Sequence, residues 1–239
     1  MIRLSEFCEW LHKQLEPLSL IKYPFNPKEL PENGIYFFYE KGENWGHGGT
    51  KPRIVRVGTS KDDNLRKRLA EHFLLDEGKM NFDAFKPAPR ERSIFRKNIG
   101  RALLKQRNDE YLKIWEIDFT SHKSREENAH LRDVAKEKEL ETEITSLLRA
   151  NFYFKVIKLT GQAQRMGKTG LESSLIGTLA RCPLCQPSTN WLGRYSPKTE
   201  ISNGKLWLIQ HLNAKTIGEQ DKATILKAIS TTNAQSSLQ

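Results

Sequence analysis

Four side chains in the sequence have the chemistry of a hydrolytic site. Tyr36 opens a run of β-branched and aromatic residues, Arg68 and His72 lie four residues apart, and Glu172 falls in an apolar helical segment. A phenol or an imidazole can accept a proton from water. A guanidinium can neutralise a phosphate, and a carboxylate can hold a divalent metal ion. These residue types could act together only if the fold brings them close to one another.

Glu172 is the most informative of the four on physical grounds. On a helical wheel it falls inside the apolar stripe formed by Leu171, Leu175 and Leu179. A carboxylate is costly to bury there unless a metal ion or an arginine meets it. The alternative is a capping box over residues 169–172, in which the glutamate only returns to the backbone. Together with the other motifs, the pattern favours a metal ligand.

The elements that must position these residues can be predicted from the pattern. A strand over 34–40, a glycine-rich loop and a strand over 53–57 predict an antiparallel hairpin. A helix from about 62 to 75 places Arg68 and His72 side by side next to its apolar stripe. A strand over 152–159 completes a sheet of three strands, and a helix over 170–181 carries Glu172.

The rest of the chain adds elements around this core. We predict a packing helix over 4–15, a short strand or extended link over 111–119, a short strand over 206–209, and a frayed end from Ser230 onward. The whole chain, 1–239, is expected to be a single domain. Within it, 33–191 is the predicted core, 1–32 an N-terminal packing segment and 192–239 a C-terminal extension.

Positive charge is concentrated in one part of the chain. The net charge is +10, and residues 51–107 hold sixteen Lys or Arg against seven Asp or Glu. Such a concentration predicts a surface for a polyanion, with nucleic acid as the leading candidate and a solubilising lysine face as the alternative. A helix over 92–104 is expected to turn its cations to phosphate or to solvent, and these are Arg92, Arg96, Lys97 and Arg101.

The lack of a long apolar run and the small number of cysteines argue against membrane-spanning and disulfide-rich proteins. The sequence has no apolar run of 18 residues and no secretion signal, so we expect a cytoplasmic protein without a membrane partner. Three cysteines are too few for a disulfide framework. Cys182 and Cys185 form a lone Cys-x-x-Cys pair, and a zinc ion would have to recruit distant ligands. A structural zinc site is therefore not expected.

Taken together, Gly34-Ile35-Tyr36, Arg56-Val57-Gly58 and Arg68-x-x-x-His72 resemble the GIY-YIG nuclease superfamily over about residues 33–191. The resemblance implies an α/β fold of the α+β type, with a small three-stranded antiparallel sheet flanked by helices. It also implies phosphodiester cleavage with one divalent metal ion, Mg²⁺ or Mn²⁺. The family's general base then falls on Tyr36, its phosphate-binding arginine on Arg68, its histidine on His72, its metal ligand on Glu172 and its late asparagine on Asn190.

One position departs from the family pattern. Arg56 stands where the family has its second tyrosine. Arg56 could favour the phenolate form of Tyr36, since a nearby cation stabilises negative charge, or could hold the scissile phosphate. Alternatively, activity could be lost. The sequence thus predicts a DNA endonuclease of the restriction, defence or repair kind, with a homodimer as one option for its assembly. A catalytically silent nucleic-acid-binding module is the alternative, and RNA cleavage is a third.

Overall fold

A central antiparallel sheet organises the fold. The computed structural model describes residues 2–236, with side chains described for residues 4–234. Its strands are β1 (Ile21–Lys22), β2 (Gly34–Asn44), β3 (Pro52–Thr59) and β4 (Phe152–Lys158), in the spatial order β1-β4-β2-β3. The prediction of a three-stranded sheet is therefore wrong, because the observed sheet has four strands. The extra strand, β1, is two residues long, too short for an alternating pattern to mark it in the sequence.

Helices surround this sheet. Within residues 2–236 they are α1 (Ile2–Leu15), α2 (Leu65–Phe73), α3 (Ile94–Gln106), α4 (Leu112–Glu116), α5 (His122–Asn128), α6 (Val134–Asn151), α7 (Gln162–Arg165), α8 (Leu171–Arg181), α9 (Thr199–Ser202) and α10 (Glu219–Ser236). None of these helices has both the length and the apolar character needed to cross a bilayer.

The two faces of β2 support two separate hydrophobic cores, because successive side chains of a strand point to opposite faces. Ile35 and Phe37 belong to the core that contains buried residues of α1, α8 and α10. Tyr36 and Phe38 belong to the core that contains buried residues of α2, α3 and α6. Across β2 and β3, Tyr36 pairs with Gly58 and Phe38 with Arg56. The alternation therefore puts Tyr36 and Arg56 on the same face of the sheet.

Three of the predicted elements differ from the observed ones. The segment 111–119 contains the helix α4 rather than a strand, and Trp115 anchors this helix by donating from Nε1 to the carbonyl oxygen of Lys97 at 3.0 Å. Residues 206–209 form no strand, although the backbone N–H of Trp207 donates to the Val55 carbonyl at 2.8 Å. The helix α10 continues past Ser230, and residues 237–239 lie outside the described part.

The prediction that the cations of α3 face solvent or phosphate is wrong for three of the four. Arg96, Lys97 and Arg101 are all buried, whereas the apolar Ile94 is 43% exposed. Arg96 pairs with Glu141 at 2.6 Å and Arg101 with Glu116 at 2.7 Å. The Lys97 ammonium donates to the carbonyl of Ile117 at 3.0 Å. Acids and carbonyls from other elements satisfy these cations, so burial does not leave them unpaired.

Buried ion pairs also make the basic surface smaller than the sequence predicts for residues 51–107. Arg53 pairs with Glu43 and Arg90 with Glu137, each through nearly unexposed side chains. Both of these acids come from outside the basic stretch, so distant carboxylates cancel part of its charge. Of the four cations that the sequence placed on the DNA-facing side, Arg92 alone is exposed.

Candidate functional site

A chain of hydrogen bonds joins Tyr36, His72 and Ser93. The Tyr36 hydroxyl lies 3.0 Å from Nε2 of His72, and Nδ1 of His72 lies 2.7 Å from Oγ of Ser93. Tyr36 is near the start of β2, His72 in the last turn of α2, and Ser93 is the N-cap of α3. All three residues are buried. The chain therefore ties one strand to two helices through buried polar atoms.

His72 is held neutral by its surroundings. Burial lowers the pKa of His72 well below its usual range, and the positive charges of Arg56, Arg68 and Arg96 lower it further. A neutral imidazole has one N–H and one free lone pair. It can therefore donate to one of its two neighbours and accept from the other, which is what proton transfer along the chain requires.

Gly58 makes room for the phenol of Tyr36. A Cβ atom placed on Gly58 would lie 2.2 Å from the Tyr36 hydroxyl oxygen, so any side chain there would displace the ring. This glycine is the last residue of the Arg56-Val57-Gly58 motif. Its presence is explained by the close approach of Tyr36 rather than by an unusual backbone angle.

Arg56 and Glu172 share a cleft of about 330 Å³, which we call the Glu172 cleft. Its lining residues come from β3, α3, α8 and the segment before α10, and they are Arg56, Ile94, Asn98, Glu172, Ile176, Leu208, Ile209, Gln210 and His211. Arg56 is fixed by a 2.6 Å hydrogen bond from Nη1 to the carbonyl of Trp207, and its guanidinium lies 4.9 Å from the ring centre of Phe95. Its Nε has no hydrogen-bond partner among the residues that the structure describes.

Burial raises the pKa of Glu172, and the charges of Arg56 and His211 partly oppose this shift. The N-cap of α8 is Gly170, and no side chain caps this helix end. The capping-box alternative for Glu172 is therefore not observed. Its carboxylate is half-buried and faces a cationic environment, as a ligand-binding acid would be.

Arg68 lines a second cleft, the Arg68 cleft, of about 270 Å³. Arg68 donates from Nη1 to the carbonyl of Arg92 at 2.8 Å and lies 3.7 Å from the carboxylate of Glu71. Lys61, Lys67 and Arg92 also line it. Ser60, another lining residue, directly follows β3, and Arg92 directly precedes Ser93. The Arg68 cleft therefore adjoins the same strand end and helix start that carry the buried chain.

A protein-family model described as the GIY-YIG domain matches residues 3–235, which is nearly the whole chain. The chain belongs to the GIY-YIG family. The resemblance seen in the motifs is thereby confirmed. No curated protein and no solved structure matches the chain. GIY-YIG nucleases act on DNA and generally use a divalent metal ion, so membership points to a nuclease.

Among the predicted site residues, Tyr36 contacts His72, Arg56 shares a cleft with Glu172, and Arg68 lines the second cleft. Asn190 lies in an exposed turn and lines neither cleft. Its neighbour Trp191 donates from Nε1 to Glu40, which is four positions along β2 from Tyr36. Tyr36 itself is 1% exposed. Its hydroxyl contacts His72, and Tyr36 lines neither cleft.

Two residues that sequence reasoning missed line the Glu172 cleft. Asn98 comes from α3, where its Oδ1 accepts a hydrogen bond from Arg101 Nη1 at 2.6 Å. His211 follows residues 206–209 and adopts a positive φ of 62°. Neither residue lies in a GIY-YIG motif. The available signal was weak: a lone histidine in a region with no clear periodicity, and an asparagine within a basic helix.

The donor set of the Glu172 cleft fits the divalent ion that GIY-YIG nucleases use. It offers one carboxylate, the amide oxygen of Gln210 and the imidazole of His211, while the amide oxygen of Asn98 already accepts from Arg101. Mg²⁺ and Mn²⁺ prefer oxygen ligands, and Mg²⁺ is commonly held by one or two carboxylates together with water and substrate phosphate. Glu172 is the only carboxylate among the described residues that line this cleft, and it would be the protein's anionic ligand.

Proposed function

We propose that this chain is a metal-dependent DNA endonuclease of the restriction, defence or repair kind. The observation that best supports this is the placement of Arg56. Arg56 shares a cleft with Glu172, and two residues further along the same strand Gly58 lies against the phenol of Tyr36. A phosphate-binding cation, a metal-binding acid and a proton-transfer pair are thus gathered around the end of β3.

DNA would enter over the Arg68 cleft. Lys61, Lys67 and Arg92 are exposed there, and Arg68 is partly exposed. Cations of this kind bind the phosphate backbone without reading the sequence of bases. The guanidinium groups of Arg68 and Arg56 would then neutralise the charge that develops on the phosphate oxygens, for which a fixed fork of donors is well suited.

Tyr36 and His72 would handle the proton. Tyr36 accepts a proton from the attacking water through its oxygen while its own proton moves to Nε2 of the neutral His72. Ser93 holds the imidazole in the orientation this transfer requires by accepting from Nδ1. When bound beside Glu172, a Mg²⁺ or Mn²⁺ ion would stabilise the negative charge of the departing oxygen.

The experiment is cleavage of supercoiled plasmid with Mg²⁺ or Mn²⁺, together with DNA binding measured by fluorescence anisotropy. Glu172→Gln should lower cleavage about 10²-fold or more while leaving binding intact. Tyr36→Phe keeps the ring over Gly58 and should lower cleavage by about 10² to 10⁴. The matched controls are Glu200→Gln in an exposed part of α9 and Tyr153→Phe, half-buried on the opposite face of the sheet.

Three outcomes would contradict the proposal or one of its parts. If the unmodified chain binds DNA but leaves it intact with either metal, the chain is a silent binding module. The replacement of the second tyrosine by Arg56 and the burial of Tyr36 favour this alternative. If RNA is cut and DNA is not, the substrate class is wrong. Unchanged cleavage in Glu172→Gln would remove the role assigned to that acid.

A further inference from the structure

A second cluster of metal-binding side chains lies away from the Glu172 cleft. Cys8, His47, Cys182 and Cys185 each offer one ligand atom, and these four atoms lie within 4.8 Å of one another. They come from α1, from the loop between β2 and β3, and from the segment after α8. We propose that these residues bind one structural Zn²⁺ ion.

Two separations between the ligand atoms match the edges of a tetrahedral zinc site. With Zn–S of about 2.3 Å and Zn–N of about 2.0 Å, the edges of the tetrahedron are about 3.8 Å between two sulfurs and about 3.5 Å between sulfur and nitrogen. The Sγ atoms of Cys8 and Cys185 are 3.7 Å apart, and Sγ of Cys182 lies 3.5 Å from Nε2 of His47. A disulfide would require about 2.05 Å between sulfurs.

Groups around the four ligands match the surroundings expected of a zinc site. The backbone N–H of Gly46 donates to Sγ of Cys185 at 3.4 Å. Nδ1 of His47, opposite its ligand nitrogen, lies 4.0 Å from the carboxylate of Glu9, which places an acid near the histidine but beyond hydrogen-bond distance. The ammonium of Lys205 donates to the carbonyl of Cys182. Its positive charge offsets the single negative charge that three thiolates and one Zn²⁺ leave.

His12 is the only other histidine close to these sulfurs among the described residues, and it is not available as a ligand. Its Nδ1 lies 2.8 Å from the carbonyl of Cys8, to which it donates, and its Nε2 accepts from the backbone N–H of Ile54 at 3.2 Å. Both ring nitrogens are therefore used. His47 is left as the fourth ligand, with a side chain that is 2% exposed.

The consequence is a cross-link between distant parts of the chain. Cys8 and Cys185 are 177 positions apart, and the ion would join α1 to the end of α8 and to the β2–β3 loop. Glu172 lies at the other end of α8, so the zinc site would fix the helix that carries the proposed magnesium ligand. The two sites differ in chemistry, since one has sulfur and imidazole donors and the other mainly oxygen donors.

The test is metal analysis of the full chain purified under reducing conditions without chelator. We expect one zinc per chain by mass spectrometry of the metal content. We also expect that Co²⁺ in its place gives the intense visible bands of tetrahedral thiolate coordination. Cys185→Ser and His47→Ala should lose the zinc, whereas His130→Gln, an exposed histidine, and Glu172→Gln should keep it.

The Co²⁺ spectrum of the unmodified chain decides the matter even if a ligand variant fails to fold. Absence of zinc together with absence of thiolate bands would overturn the proposal. So would an intact disulfide between Cys182 and Cys185 in the reduced preparation. Retention of zinc by Glu172→Gln alongside loss of cleavage would separate this site from the proposed nuclease centre.

Discussion

Arg96 and Glu141 form a fully buried ion pair, with Nη2 of the arginine 2.6 Å from Oε2 of the glutamate. Arg96 also donates to the carbonyl oxygens of His72 and Glu141 and to the hydroxyl of Thr145. Removing one partner of such a pair leaves a buried charge uncompensated. Arg96→Ala should therefore lower the free energy of unfolding by about 3–5 kcal/mol, measured by urea denaturation.

Arg92→Ala is the matched control for Arg96→Ala, because Arg92 is exposed at the edge of the Arg68 cleft. It should change the unfolding free energy by less than about 0.5 kcal/mol. DNA affinity should fall, and the slope of log affinity against log salt should decrease by about 1. A stable Arg96→Ala variant that has lost only DNA affinity would show that Arg96 contacts DNA after all.

Gly58→Ala should disturb the proposed proton-transfer pair. The added methyl group would lie 2.2 Å from the Tyr36 hydroxyl oxygen, so the ring must move away from His72. We expect a stability loss of about 1–3 kcal/mol and a loss of plasmid cleavage. Gly218→Ala is the control, since a Cβ there meets nothing within 4 Å. Full activity in Gly58→Ala would mean that the contact between Tyr36 and His72 is dispensable.

Glu40 and the buried histidines oppose each other in the pH dependence of stability. Burial raises the pKa of Glu40 to about 7, so the folded state keeps a proton that the unfolded state loses above about 4.5, and rising pH destabilises the fold. Burial lowers the pKa of His12 to about 4, so the unfolded state alone takes up a proton below about 6.5, and falling pH destabilises the fold.

Glu40→Gln should therefore make the free energy of unfolding rise more steeply with pH. The side-chain oxygen of glutamine can still accept from the indole N–H groups of Trp191 and Trp207, each 2.9 Å from Glu40 Oε2. Relative to the unmodified chain, the slope between pH values of about 4.5 and 6.5 should increase by about 1.4 kcal/mol per pH unit, the value for one proton. Denaturation at several pH values measures it. An unchanged slope would show that Glu40 titrates normally, and exposed Glu200→Gln is the control.

His211→Gly should move stability and activity in opposite directions. His211 has a φ of 62°, a conformation that glycine adopts at no steric cost, so stability should rise by about 1 kcal/mol. Loss of the imidazole from the Glu172 cleft should lower cleavage about tenfold or more, as expected for a lost contact to a charged group. Asn108→Gly, at a φ of 53° and lining neither cleft, should gain stability without losing activity. Unchanged cleavage would exclude His211 from the site.

The motif residues could be placed on their elements from the sequence because each lies in a segment with clear periodicity. Tyr36 is on a strand, His72 on a helix beside its apolar stripe, and Glu172 in the first turn of α8. Single-segment patterns carry no information on which segments meet. The core boundaries of 33–191 stay a prediction, and α1 and α10, which lie outside them, share the hydrophobic core that also holds residues of α8.

The errors have a common physical cause. A helical wheel assigns charged residues to solvent, and it fails for Arg96 and Arg101 because their partners, Glu141 and Glu116, are distant in sequence. The cysteine cluster was missed for the same reason, since Cys8 is 177 positions from Cys185. Which distant residues neutralise a buried charge or complete a set of metal ligands can be seen only in the folded structure.

A single peptide bond separates Arg92 from Ser93. The carbonyl of Arg92 accepts from Arg68 at the protein surface, and the hydroxyl of Ser93 holds the imidazole of His72 in the interior. An anion that binds Arg68 and Arg92 therefore perturbs the same short backbone segment that orients the imidazole of His72. The ring resonances of His72 in an NMR spectrum should thus act as an internal gauge of DNA occupancy, even under conditions in which no strand is cut.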